Sequence, residues 1–404
     1  MNMNGANQLA EGTAKPLMTC AACARTGTID FFAVKNLPIN VGVFYADRSQ
    51  AHAAPRGDIQ LTFCPCCGFV QNRLFDATQV IFEPGYEVAL RHSETFRHFM
   101  QGVVTRLIER FQLSHKRIIE IGCGDAYLLG MLAESGANQC VGIDPTVTGA
   151  GAKKLGEGSV QLVQDYFGTQ HTEQDADFIC CLSVFEDIPQ PAAFLANVRK
   201  LAARHQAPLY FEVFNAWRAF ENQEIWSVHY EQCNYFSLAC LEHVFQQNGF
   251  AVMNSGCCYE GDQYLYVEAV CSDRKALKPA QSVEADLPSP LASLESLFLQ
   301  KLTHWNTRLN HYQESGERVV VWGTGGKGIT FLNTVEAAKY IEFVVEINPD
   351  KQGRFVPGSG QAIVSPKFLA EYQPHKIIIT NALYAEEMKQ QARDIGVEAE
   401  FLIA

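Results

Sequence analysis

Residues 117–132, RIIEIGCGDAYLLGML, pass from a short apolar strand through Gly122-Cys123-Gly124 directly into a helix. Few chains can do this outside an open α/β sheet. Glycines after the first strand let the backbone approach a ligand at the strand's carboxyl end. The pattern is E-x-G-x-G, and the third glycine of a dinucleotide fingerprint is missing. That favours S-adenosylmethionine (SAM), which has no pyrophosphate to cradle, with Glu120, Gly122, Cys123 and Gly124 beside it.

The strands that follow keep this order. QCVGIDPT ends in Asp144 and Pro145 about twenty residues on, where an acid suits ribose hydroxyls. VQDYFG offers Asp165 to an adenine amine, and Tyr166 or Phe167 to its ring. DFICCLSVFEDI is a fourth strand whose end presents Ser183, Glu186 and Asp187. APLYFEVFNAW is a fifth, and FAVMNSGCCY with QYLYVEAVC forms a closing pair. Ahead of them, Phe96, Phe99, Val103, Leu107 and Phe111 fall on one helical stripe. Together these segments predict a seven-stranded SAM-type Rossmann domain.

A chain of 404 residues exceeds one ordinary core, and two further units flank this one. Near the N-terminus, Cys20-x-x-Cys23 and Cys64-x-x-Cys67-Gly68 are two metal knuckles. Paired, they offer four thiolates in the tetrahedral geometry of structural Zn²⁺. Cys66 is a spare, because C-x-x-C-G fits a knuckle better than adjacent cysteines. The long gap from Cys23 to Cys64 requires a small sheet between them. After the polar segment 272–290, Leu291, Leu294, Phe298, Leu302, Trp305, Leu309 and Tyr312 predict a packing helix. RVVVWGTGGKGITFLN (318–333) then repeats the strand–glycine–helix logic, with further strands in FVVEINPD and KIIITNALY. Gly325 and Lys327 are placed to receive phosphate at a helix N-terminus; the alternative is glycines that only turn the chain. The expected division is 1–75 zinc-binding, 76–271 methyltransferase and 272–404 Rossmann-like and substrate-associated.

A net charge of −12 argues against a general grip on nucleic acid or an anionic membrane. No apolar run approaches the roughly 20 residues of a membrane span, and residues 1–16 lack a secretory pattern. The expected location is cytoplasmic. There the fourteen cysteines are not a disulfide framework; Cys180 and Cys181 read as buried hydrophobes.

Taken with LTFCPCCGFVQN, EIGCGDAYLL, HYEQCNYFSLACLEHVF and the C-terminal GTGGKGITFLN…INPDKQGRFVPGSGQAIVSP, the chain resembles the three-domain SAM-dependent C-methyltransferases of antibiotic deoxysugar biosynthesis. The likeness covers nearly the whole chain. It implies a zinc protein, monomeric or weakly oligomeric, acting in natural product biosynthesis. It also implies methylation of a ring carbon beside a ketone on a nucleotide-linked keto sugar. Such a reaction needs a base for the C–H proton, in-line geometry and exclusion of water.

The family's catalytic wall reads Tyr-His-Glu-His, two residues, then Tyr-Phe. The same register here reads His229-Tyr230-Glu231-Gln232, then Cys233-Asn234, then Tyr235-Phe236. The last family His falls on Gln232, which has no titratable proton. A second, in a Leu-Glu-His-Ile segment, falls on Asp187. The candidates for catalysis are therefore Tyr230, Glu231, His229 and Asp187, with Gln232 at the altered position. In a strand, His229 would share a face with Glu231 and not with Gln232. Tyr86 and His92, in the matching segment EPGYEVALRHSETFRHF, are placed to close over the substrate, and Tyr235 belongs to the same wall. The altered positions leave two alternatives open: an N- or O-methyltransferase of the same build, or a binding protein without activity.

Overall fold

The computed structural model describes residues 19–149, 151–273 and 287–404. The segment read for a secretory leader lies outside them, as does most of the polar linker 272–290. Three sheets organise the chain.

The first sheet is antiparallel and contains β1 (Ile29–Pro38), β2 (Arg56–Phe63), β3 (Val70–Asn72) and β10 (Asn234–Tyr235), in the order β1-β2-β3-β10. β1 and β2 are the sheet that the long Cys23–Cys64 gap demanded. Its fourth strand comes from the distant wall segment: Asn234 pairs with Gln71 and Tyr235 with Val70.

The second sheet holds β4 (Arg117–Ile121), β5 (Gln139–Ile143), β6 (Gly151–Leu155), β7 (Gly158–Val163), β8 (Phe178–Leu182), β9 (Leu209–Phe214), β11 (Phe250–Cys258) and β12 (Tyr264–Cys271). Its order is β11-β12-β9-β8-β4-β5-β7-β6. Seven of these strands match the expected sheet. The eighth, β6, was not anticipated; it pairs antiparallel to β7 at the edge. Its residues are mostly exposed, and Lys153 and Lys154 suit a strand that must not recruit a neighbour. The central strands are nearly all buried, as parallel strands covered on both faces must be. The chain leaves β4 towards β5 and returns to β8 on its other side. This makes the switch point where α/β sheets open a crevice beyond their carboxyl ends.

The predicted helix spans Glu94–Phe111 and buries Met100, Val103, Val104 and Leu107. Ser93 caps it by accepting from Phe96 N at 3.2 Å. Gln112, at φ 53°, ends it in the left-handed region.

The third sheet is wholly parallel: β13 (Val319–Trp322), β14 (Phe343–Val345), β15 (Ala362–Val364), β16 (Lys376–Ile379) and β17 (Glu400–Ile403), ordered β15-β14-β13-β16-β17. The packing helix runs over Leu294–Glu314 and buries Leu294, Phe298, Trp305, Leu309 and Tyr312. This face joins Trp226, Val228 and Tyr230 in one core with the first sheet. Among the described residues, no helix is long and apolar enough to cross a membrane.

Candidate functional site

The two knuckles meet. The sulfurs of Cys20, Cys23, Cys64 and Cys67 all lie within 4.8 Å of one another. Gly68, at φ 73°, lets its N–H return to Cys64 O at 2.8 Å. Cys66 is outside the group. Thiols packed this closely cannot all ionise unaided: Cys64 is driven down to about 2 by hydrogen bonds from Cys20 and Cys67, while Cys20 and Cys67 are driven up. A divalent cation would stabilise four thiolates at once, so the donor set fits a tetrahedral metal. The Gln71 side chain ties this cluster to β3, accepting from Ala21 N at 2.8 Å and donating to Thr19 O at 3.3 Å.

A cleft of about 890 Å³ opens beyond the carboxyl ends of β4, β5 and β8. Glu120, Gly122, Cys123 and Gly124 line it from β4; Asp144 and Pro145 from β5; Tyr166, Phe167 and Ser183 from the loops beyond. Gly122 is at φ 74°, and a Cβ there would lie 2.2 Å from Val184 Cγ2. Gly124, at φ 52°, faces open space. Asp144 accepts from Gly124 N at 2.8 Å, so the second strand's acid also fixes the first strand's glycine loop. Glu120 Oε2 is buried without a partner among the described residues, and burial with the nearby Asp144 charge pushes its pKa well up. A cationic ligand would relieve that carboxyl, and SAM carries a sulfonium and an ammonium. Asp165 is not among the lining residues; its carboxylate accepts from Gln170 Nε2 at 3.0 Å and lies 3.5 Å from His171.

A second cavity of about 370 Å³ adjoins the cleft. Tyr86, Ser183, Asp187 and Tyr264 line both spaces, which places them at the junction. The far wall combines His92, His229, Glu231 and Gln232 with the C-terminal glycine loop, including Gly325 and Lys327. None of this enclosure is local in sequence.

Residues 229–233 are not a strand, and contacts from three directions hold their backbone. Cys233 O accepts from Asn72 N at 2.9 Å, and Cys233 N donates to Glu186 O at 3.1 Å. Thr330 Oγ1, on the helix after β13, donates to Val228 O at 3.0 Å. Strand alternation is lost, so His229, Glu231 and Gln232 all reach one cavity, correcting the expectation that Gln232 faces away. Gln232 Nε2 donates to Asn234 O at 3.1 Å. Tyr230 turns to the first sheet, where its hydroxyl accepts from Asp76 N at 3.1 Å. Tyr235 is buried in β10 and donates to His229 O at 3.3 Å. Neither tyrosine lines either cavity.

Burial sets the proton affinities here. Glu231 accepts from Asn40 Nδ2 at 2.8 Å, Val41 N at 3.0 Å and Tyr86 OH at 2.8 Å. Desolvation still outweighs these donors and lifts it to about 7. Asp187 is pushed well above the carboxylate range by burial, then by Glu186 and Glu231. Its carboxyl has no hydrogen bond from the described residues. His229 moves the other way, down to about 4, because burial disfavours its cation. Its Nδ1 and His92 Nε2 both have no partner among the described residues.

The glycine loop is held by packing as well as opening onto the cavity. A Cβ on Gly326 would lie 3.0 Å from His229 Nδ1, and one on Gly328 would lie 2.3 Å from Gly323 O. Gly325 has nothing within 4 Å. Lys327 is engaged by Glu224 at 2.6 Å. Sequence reasoning missed Asn40, Val41, Tyr264 and Thr324 as cavity or support residues; no local motif marks them.

Residues 96–255 match the methyltransferase domain, and residues 293–404 match the C-methyltransferase C-terminal domain. The C-methyltransferase NovU of Streptomyces niveus is 22% identical over 405 residues, covering 96% of this chain and 94% of its own. The ubiquinone biosynthesis O-methyltransferase of Rhodopseudomonas palustris (strain BisB18) is 30% identical over 112 residues, 27% of this chain and 44% of its own. Among solved structures, magnesium protoporphyrin IX methyltransferase from Synechocystis PCC 6803 with bound SAH covers 44% of this chain and 84% of that one, at 17% identity and a TM-score of 0.33. With a methyltransferase domain followed by a C-methyltransferase C-terminal domain, and similarity to a C-methyltransferase across nearly its whole length, the chain is a SAM-dependent methyltransferase.

Proposed function

We propose that the protein methylates a carbon beside a ketone on a nucleotide-linked keto sugar, with Asp187 as the base. The observation that carries this reading is Asp187 itself. It stands where the two cavities meet, with no hydrogen bond on its carboxyl from the described residues. SAM, when bound, supplies an electrophilic methyl group. Asp187 takes the proton from the acceptor carbon, and its raised pKa makes it a stronger base than an exposed carboxylate. Tyr86 is held at the junction by Glu231 and screens the reacting atoms from water. Gln232 orders the wall and moves no proton. Cys20, Cys23, Cys64 and Cys67 hold a structural Zn²⁺ that keeps β3, and with it β10 and the wall, in place.

The test is incubation with SAM and a panel of nucleotide-linked 4-keto sugars, read by mass spectrometry, with solvent deuterium uptake followed by NMR. Methylation on carbon, preceded by exchange of the adjacent ring hydrogen, is expected. A methyl group on nitrogen or oxygen, or SAM binding with no transfer to any keto sugar, would overturn the reading.

A further inference from the structure

Tyr86, Ser183, Asp187 and Tyr264 stand where the two cavities meet. The keto-acceptor reading gives this junction a base, but no donor for the oxygen on which negative charge develops. Tyr86 donates its hydroxyl hydrogen to Glu231 at 2.8 Å. Tyr264 is 8% exposed, and its ring lies flat against Tyr259 with centroids 5.5 Å apart. Ser183 differs from both. It is exposed, it lines both cavities, and its hydroxyl has no hydrogen bond from the described residues.

Its backbone is unusual as well. The φ of Ser183 is 53°, a left-handed value that an L side chain adopts only at a cost. The surroundings impose it. Ser183 N donates to Glu212 O at 2.8 Å, which keeps residue 183 against β9. Asp187 N donates to Val184 O at 2.9 Å and closes the short turn Phe185–Asp187. The middle of this segment is anchored in the core: Phe185 is fully buried, and Glu186 Oε1 accepts from Phe214 N at 3.0 Å. Ser183 and Asp187 flank the anchor, and both reach the junction. Glycine would take the same φ without strain. A serine there gives up stability that glycine would keep, and what it adds is a hydroxyl at the point of methyl transfer.

We infer that Ser183 stabilises the enolate of the acceptor: its Oγ–H donates to the carbonyl oxygen while Asp187 removes the proton from the neighbouring carbon. The inference rests on the keto-acceptor reading above. The C–H bond breaks and its proton goes to Asp187. The electron pair forms the C=C bond, and the charge that moves onto oxygen is met by the Ser183 hydroxyl, which keeps its own proton. The enolate carbon then bonds to the methyl group, and the methyl–sulfur bond breaks with its electron pair staying on sulfur. The carbonyl re-forms, and Asp187 releases its proton to solvent. A donor already in place before the charge appears needs no reorganisation when it does.

Two variants separate this role from cofactor binding and from a structural one. S183A removes the hydroxyl and leaves the left-handed backbone strained; S183G removes both hydroxyl and strain. With a keto-sugar acceptor at saturating SAM, each should lose about 10–10²-fold in kcat, the range for one hydrogen bond to a charged group. Solvent deuterium exchange at the acceptor carbon should fall with it. Calorimetry should show unchanged binding of SAM and S-adenosylhomocysteine. In urea, S183G should unfold at a higher midpoint than wild type, so that stability rises as activity falls; a structural role predicts the opposite sign. Wild-type turnover by S183A, or weakened SAM binding with kcat retained, would overturn the role of Ser183 and leave the acceptor reading standing. An S183G midpoint at or below that of wild type would overturn the strain on which the role is argued. If wild type itself turns over no keto sugar, the acceptor reading fails and this role fails with it.

Discussion

Replacing Glu231 by Gln probes the electrostatics of the acceptor cavity directly. Glu231 is 2% exposed, so solvent screening does not dilute the effect. Its pKa rises from 4.5 to about 7 on folding, although three donors favour the anion. The folded state therefore holds this proton more tightly than the unfolded chain does. Below pH 4.5 both states are protonated and stability does not sense the group. Between 4.5 and about 7 the unfolded chain ionises first, and the folded state loses stability progressively. At about 1.4 kcal/mol per pH unit, that interval corresponds to roughly 3 kcal/mol. Gln cannot ionise, so E231Q escapes this loss. It should gain on wild type as pH rises, by up to about 3 kcal/mol at pH 9 relative to pH 4.5. The amide also forces Tyr86 to accept where it now donates, a cost of about 1 kcal/mol that does not vary across this range. Urea unfolding of both proteins at several pH values isolates the pH-dependent part. A stability difference that stays flat between pH 5 and 9, or that turns against E231Q at high pH, refutes the reasoning.

D187N should retain SAM binding by calorimetry while solvent exchange and methyl transfer fall roughly 10²–10⁴-fold, the range for a lost general base. G122A should weaken SAM binding at least tenfold by calorimetry, because its Cβ meets Val184 Cγ2 at 2.2 Å and its φ of 74° disfavours an L side chain. C64S should lose its bound zinc by atomic emission and reduce methyl transfer through the wall, whereas C66S should keep the metal. E387A should cost about 1–2 kcal/mol in chemical denaturation. Glu387 accepts from Ser93 Oγ at 2.7 Å, Glu94 N at 3.0 Å and Thr95 N at 3.3 Å, and so caps the helix above the SAM cleft from the C-terminal unit.

The parts of this molecule that could be read from sequence are those whose physics is local. Strand–glycine–helix turns need a particular backbone within a few residues, and paired C-x-x-C knuckles carry their own chelate geometry. The glycine-lined cleft beyond β4 and the cysteine cluster were legible for that reason. The acceptor cavity was not. Asn40 reaches Glu231 across 191 residues, and the Thr330 hydroxyl that anchors Val228 comes from the helix after β13, about a hundred residues away. The conditional strand geometry of the wall failed on the same ground. Cys233 O still extends the β3–β10 ladder to Asn72, but its N–H is taken by Glu186, and the residues before it form a loop with three side chains on one cavity. Ser183 was visible as a residue at the end of a strand. What was invisible was its left-handed φ and its place on both cavities.

The altered wall also changes what its lost imidazoles mean. A dry pocket acts on the two kinds of base in opposite directions: it disfavours the imidazolium cation and the carboxylate anion alike. His229 shows the first effect, held down to about 4, and Glu231 shows the second, lifted to about 7. Where desolvation dominates, an imidazole without a negative partner becomes a poor proton acceptor. A carboxyl at the same depth gains basicity as its anion is disfavoured. Asp187, where the resemblance would place a His, is therefore compatible with deprotonation of carbon. Gln232, meanwhile, adds no further ionisable group to a wall where Glu186, Asp187 and Glu231 already compete for charge. The carboxyls and the Gln form one electrostatic arrangement, in which fewer charges leave each remaining proton easier to place.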